Sequence, residues 1–477
     1  MSSLSPTRRA LLLLLAVAQL MVILDISAVN VALPDLSQDL RIAPGDLEWT
    51  ITSYSLLFGS LLLLGGRAAD LLGRRRTFIT GLALFTGASL AAAVAPSAAA
   101  LYAARTGQGI GAALLSPAAL SIITTTFSGR ERAIALGVWG GVGAAGGAVG
   151  VLLGGMLTEW IDWRAIFFIN VPIGAALAAG VLRTVPADGK RPRWSGLDLR
   201  GALVATASLA ALLYALSGAD DAGWTSAKTL GLGGASMVGL AAFALLELRT
   251  ALPLLRIRRL RDRAIGGGAL LMLPASAILM GSVLLTSIYL QEVVGASPLE
   301  TGIGFLPFAA AVGAGAHLGS HLARHVGVRI PMAIAFALAG AGMLLLSRVD
   351  GAGGYASDVL PGLVVAAVGL GVAIVSVALA VMTGAREDDA GMLSGVNSTG
   401  HEVGGSLGIA ALTTIATGAI GSGGAAGSEA LASGLGDAFL AAAGIAGAGM
   451  LLALLLLPAA SRFLPRMREA PATVSIH

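Results

Sequence analysis

Gly66-Arg67-Ala68-Ala69-Asp70-Leu71-Leu72-Gly73-Arg74-Arg75-Arg76 is a short charged break between two apolar runs, 47–66 before it and 77–95 after it. Each flanking run has the roughly 20 residues that cross a hydrocarbon core about 30 Å thick. Retention of cations on the cytoplasmic side places Arg67, Arg74, Arg75 and Arg76 there. Working outward, twelve further runs keep the same alternation: 10–33, 98–126, 133–157, 165–185, 198–217, 229–248, 264–289, 301–323, 330–347, 358–383, 391–417 and 438–460. Of the 30 Lys and Arg residues, only Arg41, Arg164, Lys228 and Arg348 fall in connections of the opposite side, and Arg105 falls inside a run. A wrong helix count would scramble that partition, so the pattern predicts fourteen transmembrane helices with both termini cytoplasmic.

Composition agrees with an all-α polytopic membrane protein. Apolar residues make up 56% and charged residues 12%, whereas an ordinary soluble domain is about 25% charged. The pI of 9.8 raises nucleic acid as a partner. The cations, however, sit in short connections without aromatic interleaving, which points to anionic membrane lipids instead. Cysteine is absent, which excludes thiol catalysis, disulfides and thiolate metal sites, and no metal or cofactor is expected. Arg8-Arg9 before an apolar run has the look of a secretory signal. That run reaches Leu33, longer than a signal core, and lacks a small-x-small cleavage site, so it is expected to remain as helix 1.

Two longer basic connections, Arg183 to Arg200 and Arg249 to Arg263, divide the helices six, two, six. The expected organisation is an N-terminal six-helix half (1–190), an inserted two-helix hairpin (191–255), and a C-terminal six-helix half with a short cytoplasmic tail (256–477). A degenerate internal echo of Gly66 to Arg74 occurs at Gly319-Ser320-His321-Leu322-Ala323-Arg324-His325-Val326-Gly327, after helix 10. Helix 5 carries Gly143, Gly146, Gly147, Gly150, Gly154 and Gly155, a small-residue ridge that lets helix backbones approach closely in lipid. Static packing and a sliding contact are both compatible with that ridge.

Charges inside the spans cost about 2.5–3.5 kcal/mol each on the gentlest scale, so each needs a reason. Asp25 lies roughly 12 Å from the outer end of helix 1, and Arg105 roughly 10 Å into helix 4. Matching depths allow contact, either as a static ion pair or as a device in which relative movement switches proton affinity. Glu402, beside His401, lies roughly 16 Å into helix 13, near the midplane. There it is placed to meet a cation or a second proton, or to take Asn397 or His401 as partner. Asn30, Tyr54, Gln108 and Asn170 are expected either on the same cavity wall or in interhelical hydrogen bonds. Asp70 is placed to meet a helix N-terminus or an arginine of the other half when the cytoplasmic side is closed.

The break Gly66 to Arg76 resembles the signature loop between helices 2 and 3 of the major facilitator superfamily. Leu24-Asp25-Ile26-Ser27-Ala28-Val29-Asn30-Val31-Ala32-Leu33-Pro34 resembles the helix 1 motif of its drug:proton antiporters, in the fourteen-helix branch of EmrB/QacA type. Arg105-Thr106-Gly107-Gln108-Gly109 resembles that branch's helix 4 motif, whose arginine is implicated in proton transfer. Trp163 to Pro172, Tyr289-Leu290-Gln291, Ser297-Pro298-Leu299 and Leu306-Pro307 extend the likeness over essentially the whole chain. It implies the major facilitator fold, proton coupling through Asp25 and Arg105, and a conformational gate at Gly66, Asp70, Gly73, Arg74 and Arg75. It also implies a helix-packing motif at Gly146, Gly150, Gly154 and Gly155. Two departures stand out. Val151 follows Gly150 where the family has proline, which weakens the inference of export. His401-Glu402 replaces Arg-Gln, which implies a shift of substrate toward cations.

The expected function is proton-driven export of drug-like amphipathic compounds across the bacterial cytoplasmic membrane, by a monomer working through alternating access. Export of an endogenous secondary metabolite, and nutrient symport or uniport, are the alternatives within transport. An intramembrane enzyme built on Gly405-Ser406-Leu407-Gly408 lacks a base and an orienting group. A passive channel lacks a charged ring or filter segment.

Overall fold

The computed structural model describes residues 5–42, 49–189, 198–217, 223–250, 253–350, 354–383, 389–423 and 428–469. In hydrocarbon every backbone N–H and C=O must be satisfied within its own segment, so apolar runs become helices. They are α1 (Pro6–Asp39), α2 (Trp49–Leu72), α3 (Arg74–Ala93), α4 (Ala98–Thr126), α5 (Gly129–Trp160), α6 (Arg164–Phe168), α7 (Asn170–Thr184), α8 (Leu199–Ser217), α9 (Ala227–Arg249), α10 (Arg263–Ile288), α11 (Pro298–Gly304), α12 (Leu306–Val326), α13 (Arg329–Leu346), α14 (Leu360–Met382), α15 (Ala390–Gly423), α16 (Ser428–Leu456) and α17 (Ala460–Glu469). Polar residues at the breaks satisfy the first N–H groups: Ser97 accepts from Ala100, Asp262 from Ala264, and Ser297 forms a capping box with Glu300. Among the described residues, eleven helices are long and apolar enough to cross a membrane. On that criterion fourteen is not reached, since α5 and α8 qualify only over shorter stretches, Ile134–Gly143, Val149–Trp160 and Arg200–Leu216, and α15 does not qualify.

The break between α2 and α3 is shorter than the sequence reading placed it. α2 continues through Arg67 and Asp70 to Leu72, and Gly73 alone, at φ +108°, turns the chain into α3. Helix persists there because the Asp70 carboxylate finds its donors on another helix and does not compete for its own backbone.

Helix pairing is repeated within the chain. α1 packs on α5 and α7, α2 and α3 pack on α4, and α3 packs on α7. In the same pattern α10 packs on α15 and α16, α12 and α13 pack on α14, and α13 packs on α16. The two sets meet through α5 on α12 and α2 on α15, while α8 lies against α2, α9 and α15.

Glycines decide how closely those helices approach. Gly137, Gly141, Gly146, Gly150 and Gly154 of α5 and Gly391, Gly395, Gly400, Gly404 and Gly408 of α15 share one spacing, 4, 5, 4 and 4 residues. The first two of each series face the other set: Gly137 and Gly141 meet Ala316 of α12, and Gly391 and Gly395 meet Gly66 and Leu62 of α2. The last three face their own set: Gly146, Gly150 and Gly154 meet Ile23, Ser27 and Ala28 of α1, and Gly400, Gly404 and Gly408 meet Met272, Leu273 and Ala277 of α10. Gly155 is half-buried.

A methyl group added at Gly154 would sit 2.6 Å from Ala28 Cα, inside contact distance, whereas one at Gly444 meets nothing within 4 Å. Gly154→Val should therefore cost about 1–3 kcal/mol by overpacking. Thermal unfolding in detergent should show a lower midpoint for Gly154→Val and an unchanged one for Gly444→Val; equal midpoints would mean that α1 and α5 separate freely.

Candidate functional site

Five helices converge on a buried ion pair. Arg105 of α4 donates to Asp25 of α1 through Nη1, and both side chains are 0% exposed. Asp25 reaches this point because Gly150 and Gly154 bring α5 against the neighbouring turn of α1, at Ser27 and Ala28. The second carboxylate oxygen accepts from Gln108 Nε2 at 2.8 Å and from Asn170 Nδ2 at 3.1 Å. Arg105 also donates from Nη1 to Gln108 Oε1 at 3.0 Å and from Nε to the Thr50 carbonyl at 2.9 Å. Its guanidinium lies 4.5 Å from the centre of the Tyr54 ring. Ser89 of α3 accepts from Gln108 at 2.8 Å and donates its own hydroxyl to the Phe85 carbonyl at 2.8 Å.

Such a network is what a buried ion pair requires. Taking both charges out of water costs more than their attraction returns unless the remaining lone pairs and protons are hydrogen-bonded. Asp25 has three donors, and the guanidinium has two further acceptors and a ring face, with Nη2 alone of its nitrogens lacking a hydrogen-bond partner among the described residues. Without the charge on the carboxylate, Arg105 would be left buried without its counter-ion.

The break between α6 and α7 belongs to this site. Trp163 Nε1 donates to Asp39 at the end of α1 at 3.2 Å, and Arg164 pairs with the same carboxylate at 2.7 Å. Arg164, then the Trp163 indole, holds Asp39 below the usual carboxylate range. So anchored, the segment starts α7 at Asn170, whose amide then points at Asp25. Gln108 and Asn170 thus take the interhelical hydrogen-bond alternative, while Tyr54 offers Arg105 its ring face and its buried hydroxyl has no hydrogen-bond partner among the described residues. The side chain of Asn30 lies outside the described residues. Ser89 and the Thr50 carbonyl complete the network and were not anticipated.

His401 and Glu402 stand apart from the pair. His401 Nδ1 is hydrogen-bonded to Ser276 of α10. Glu402 faces a cavity of about 180 Å³ between α2, α8 and α15, walled by Ile51, Ser55, Leu213, Leu216 and Ile409 among others. α2 is the partition: Tyr54 faces the ion pair, and the next residue, Ser55, faces this cavity.

At the other end of α2, Asp70 accepts from the backbone N–H groups of Gly391 and Met392, both at 2.8 Å. These belong to the first turn of α15, whose N–H groups have no partner within the helix and whose dipole favours an anion. The adjoining arginines turn to their own set. Arg74 Nε donates to Ser121 of α4 at 2.9 Å, and the Arg76 N–H donates to Asp188, after α7, at 2.9 Å. Asp188 also accepts from the Arg75 N–H at 3.3 Å, and it leaves no room for a side chain at Gly73. Asp188 was missed; an aspartate in a Pro-Ala-Asp-Gly loop carries no sign of which helix it caps.

A bundle of long apolar helices arranged as two similarly paired sets, with an ion pair sealed in one of them, has the build of a multi-pass membrane transporter. The model of the Major Facilitator Superfamily matches residues 15–409, and the chain belongs to that family. It is 38% identical over 412 residues to the puromycin resistance protein pur8 of Streptomyces alboniger, covering 86% of this chain and 82% of that one. It is 37% identical to the cephamycin export protein CmcT of Amycolatopsis lactamdurans, over 97% of this chain and 95% of that one. The fold resembles that of the human organic anion transporter MFSD10, with a TM-score of 0.64 at 18% identity over 94% of this chain and 100% of that one. The protein is therefore a transporter of the bacterial cytoplasmic membrane and not an enzyme.

Removing one partner of a buried pair strands the other charge, at about 3–5 kcal/mol, whereas removing both is far milder. Arg105→Met should lower the unfolding midpoint more than the double change Asp25→Asn with Arg105→Met. A double variant as unstable as the sum of the two single changes would show that the two side chains do not interact.

Proposed function

We propose that this transporter is a proton-coupled exporter of amphipathic organic compounds. The observation that carries the reading is the sealed Asp25–Arg105 pair: the carboxylate is the one acidic group at the centre of five converging helices, and its protonation state decides whether Arg105 has a counter-ion. Proton binding at Asp25 is then the step that loosens α1, α4 and α7 relative to one another. The names of the relatives, resistance and export proteins for puromycin and cephamycin, support outward transport of such compounds.

In this reading all fourteen apolar runs span the membrane with both termini cytoplasmic. The sets 1–190 and 256–477 are the moving halves around the inserted pair 191–255, a division that the repeated helix pairing supports. The contact of Asp70 with the first turn of α15 latches the cytoplasmic side, with Gly66 allowing the approach and Gly73, Arg74 and Arg75 holding the turn. Gly146, Gly150, Gly154 and Gly155 form the bearing on which α1 moves. A second reading, a dedicated exporter of one endogenous metabolite, is favoured by relatives named for a single antibiotic, such as the tetracenomycin C resistance and export protein of Streptomyces glaucescens.

The test is a dye and antibiotic panel in inverted vesicles, with the pH gradient and the membrane potential collapsed separately. Wild type should accumulate substrate when the pH gradient is imposed, and Asp25→Asn should not; unchanged gradient-driven transport by Asp25→Asn would remove proton coupling from this residue. Asp70→Ala should slow transport several-fold while leaving equilibrium substrate binding intact. A variant that binds poorly but cycles at the normal rate would contradict the latch.

A further inference from the structure

We infer that the cavity between α2, α8 and α15 recognises a monovalent organic cation, with Glu402 as its counter-ion and α8 as the wall that limits its size. The inference names the substrate class within the exporter reading above and rests on it. Glu402 is the one ionisable side chain among the residues that line the cavity, and no described residue forms a hydrogen bond or ion pair with it. A carboxylate facing an apolar wall is costly unless a positive charge meets it. The described residues supply none: Arg105 is engaged with Asp25 on the far side of α2, and His401 is hydrogen-bonded to Ser276. The missing charge is therefore the ligand's. A largely aliphatic wall with the hydroxyl residues Thr52, Ser55 and Ser406 and one carboxylate fits an ammonium or amidinium group on an apolar body; it repels an anion, and a neutral compound leaves the charge of the carboxylate unmatched.

α8 closes the cavity at the depth of that carboxylate. A methyl group on Gly59 of α2 would lie 2.6 Å from Leu213 Cδ1 and 3.6 Å from Glu402 Cβ, so Leu213 and Glu402 meet at one point of α2. The inserted pair is tied to both sides of the α2–α15 seam. Tyr214 stacks on Trp49 at 6.2 Å between ring centres, and Trp224 Nε1 donates to Thr414 of α15 at 2.6 Å. The insertion thus acts as a specificity wall and not as a spacer between halves.

The test measures binding to the full chain in lipid nanodiscs by saturation-transfer NMR. The probes are benzyltrimethylammonium and its uncharged isostere neopentylbenzene, which differ in charge and hardly in shape. Wild type should prefer the cation by roughly tenfold or more, and Glu402→Gln should erase that preference without weakening the isostere. Leu213→Trp should weaken both probes, and Leu213→Ala should admit the bulkier tetraphenylphosphonium. Equal binding of the two probes by wild type, or a preference that survives in Glu402→Gln, overturns the inference, the latter pointing to a carboxyl that carries a proton. Unaltered binding by Leu213→Trp overturns the role of α8. Charge-dependent binding without any transport driven by a pH gradient would sink the exporter reading alone; gradient-driven transport with charge-blind binding would sink the cavity assignment alone.

Discussion

Lipid tails are as apolar as leucine, so helices gain nothing by burying leucines against one another, and close backbone contact has to hold the bundle together. α5 and α15 supply that contact, each with one pair of glycines toward the other set and three toward its own. The rest of the structure is positioned from them. Asp25 faces Arg105 because Gly150 and Gly154 seat the next turn of α1, and Asp70 reaches the first turn of α15 because Gly66 and Gly391 let α2 lie against it. A side chain at any of these positions acts first on helix distance and only then on chemistry.

The ion pair illustrates how a membrane protein keeps charge in its interior. Neither residue reaches solvent, yet almost every polar atom of the pair is engaged, by Gln108, Asn170 and the Thr50 carbonyl. The stabilising partners come from separate helices, so the network is also a report on their relative positions. Displacement of α1 or α7 by an ångström breaks bonds to one oxygen that cannot be replaced by water at that depth. The hydrogen bonding of the pair and the arrangement of the helices therefore change together.

Much of this was legible in the sequence, and the reasons differ from residue to residue. The apolar runs and the side preference of the cations announced a helical membrane protein, and equal depths in α1 and α4 brought Asp25 to Arg105. Asn170 was visible as a polar residue in a span, but its bond to Asp25 depends on the break after Phe168, which no periodicity reveals. Thr50 contributes a main-chain oxygen, and main-chain oxygens leave no trace in the choice of side chain. Ser89 is a small hydroxyl in a helix rich in small residues, a background against which it does not stand out. The glycine series of α15 is legible, since its spacing matches that of α5 residue for residue.

The matched glycine series has a further consequence at the end of the bundle where Asp70 lies. The echo of the α2–α3 segment sets Ala323 of α12 at the position of Asp70. The two seams at this end are thus unequal in kind. At the α5–α12 seam Gly137 and Gly141 make van der Waals contact with Ala316 and Ser320. The α2–α15 seam carries two backbone N–H groups that donate to the Asp70 carboxylate, both at 2.8 Å. Across the α2–α15 seam this end is therefore tied by one carboxylate on two backbone N–H groups, and across the α5–α12 seam by close packing at Gly137 and Gly141.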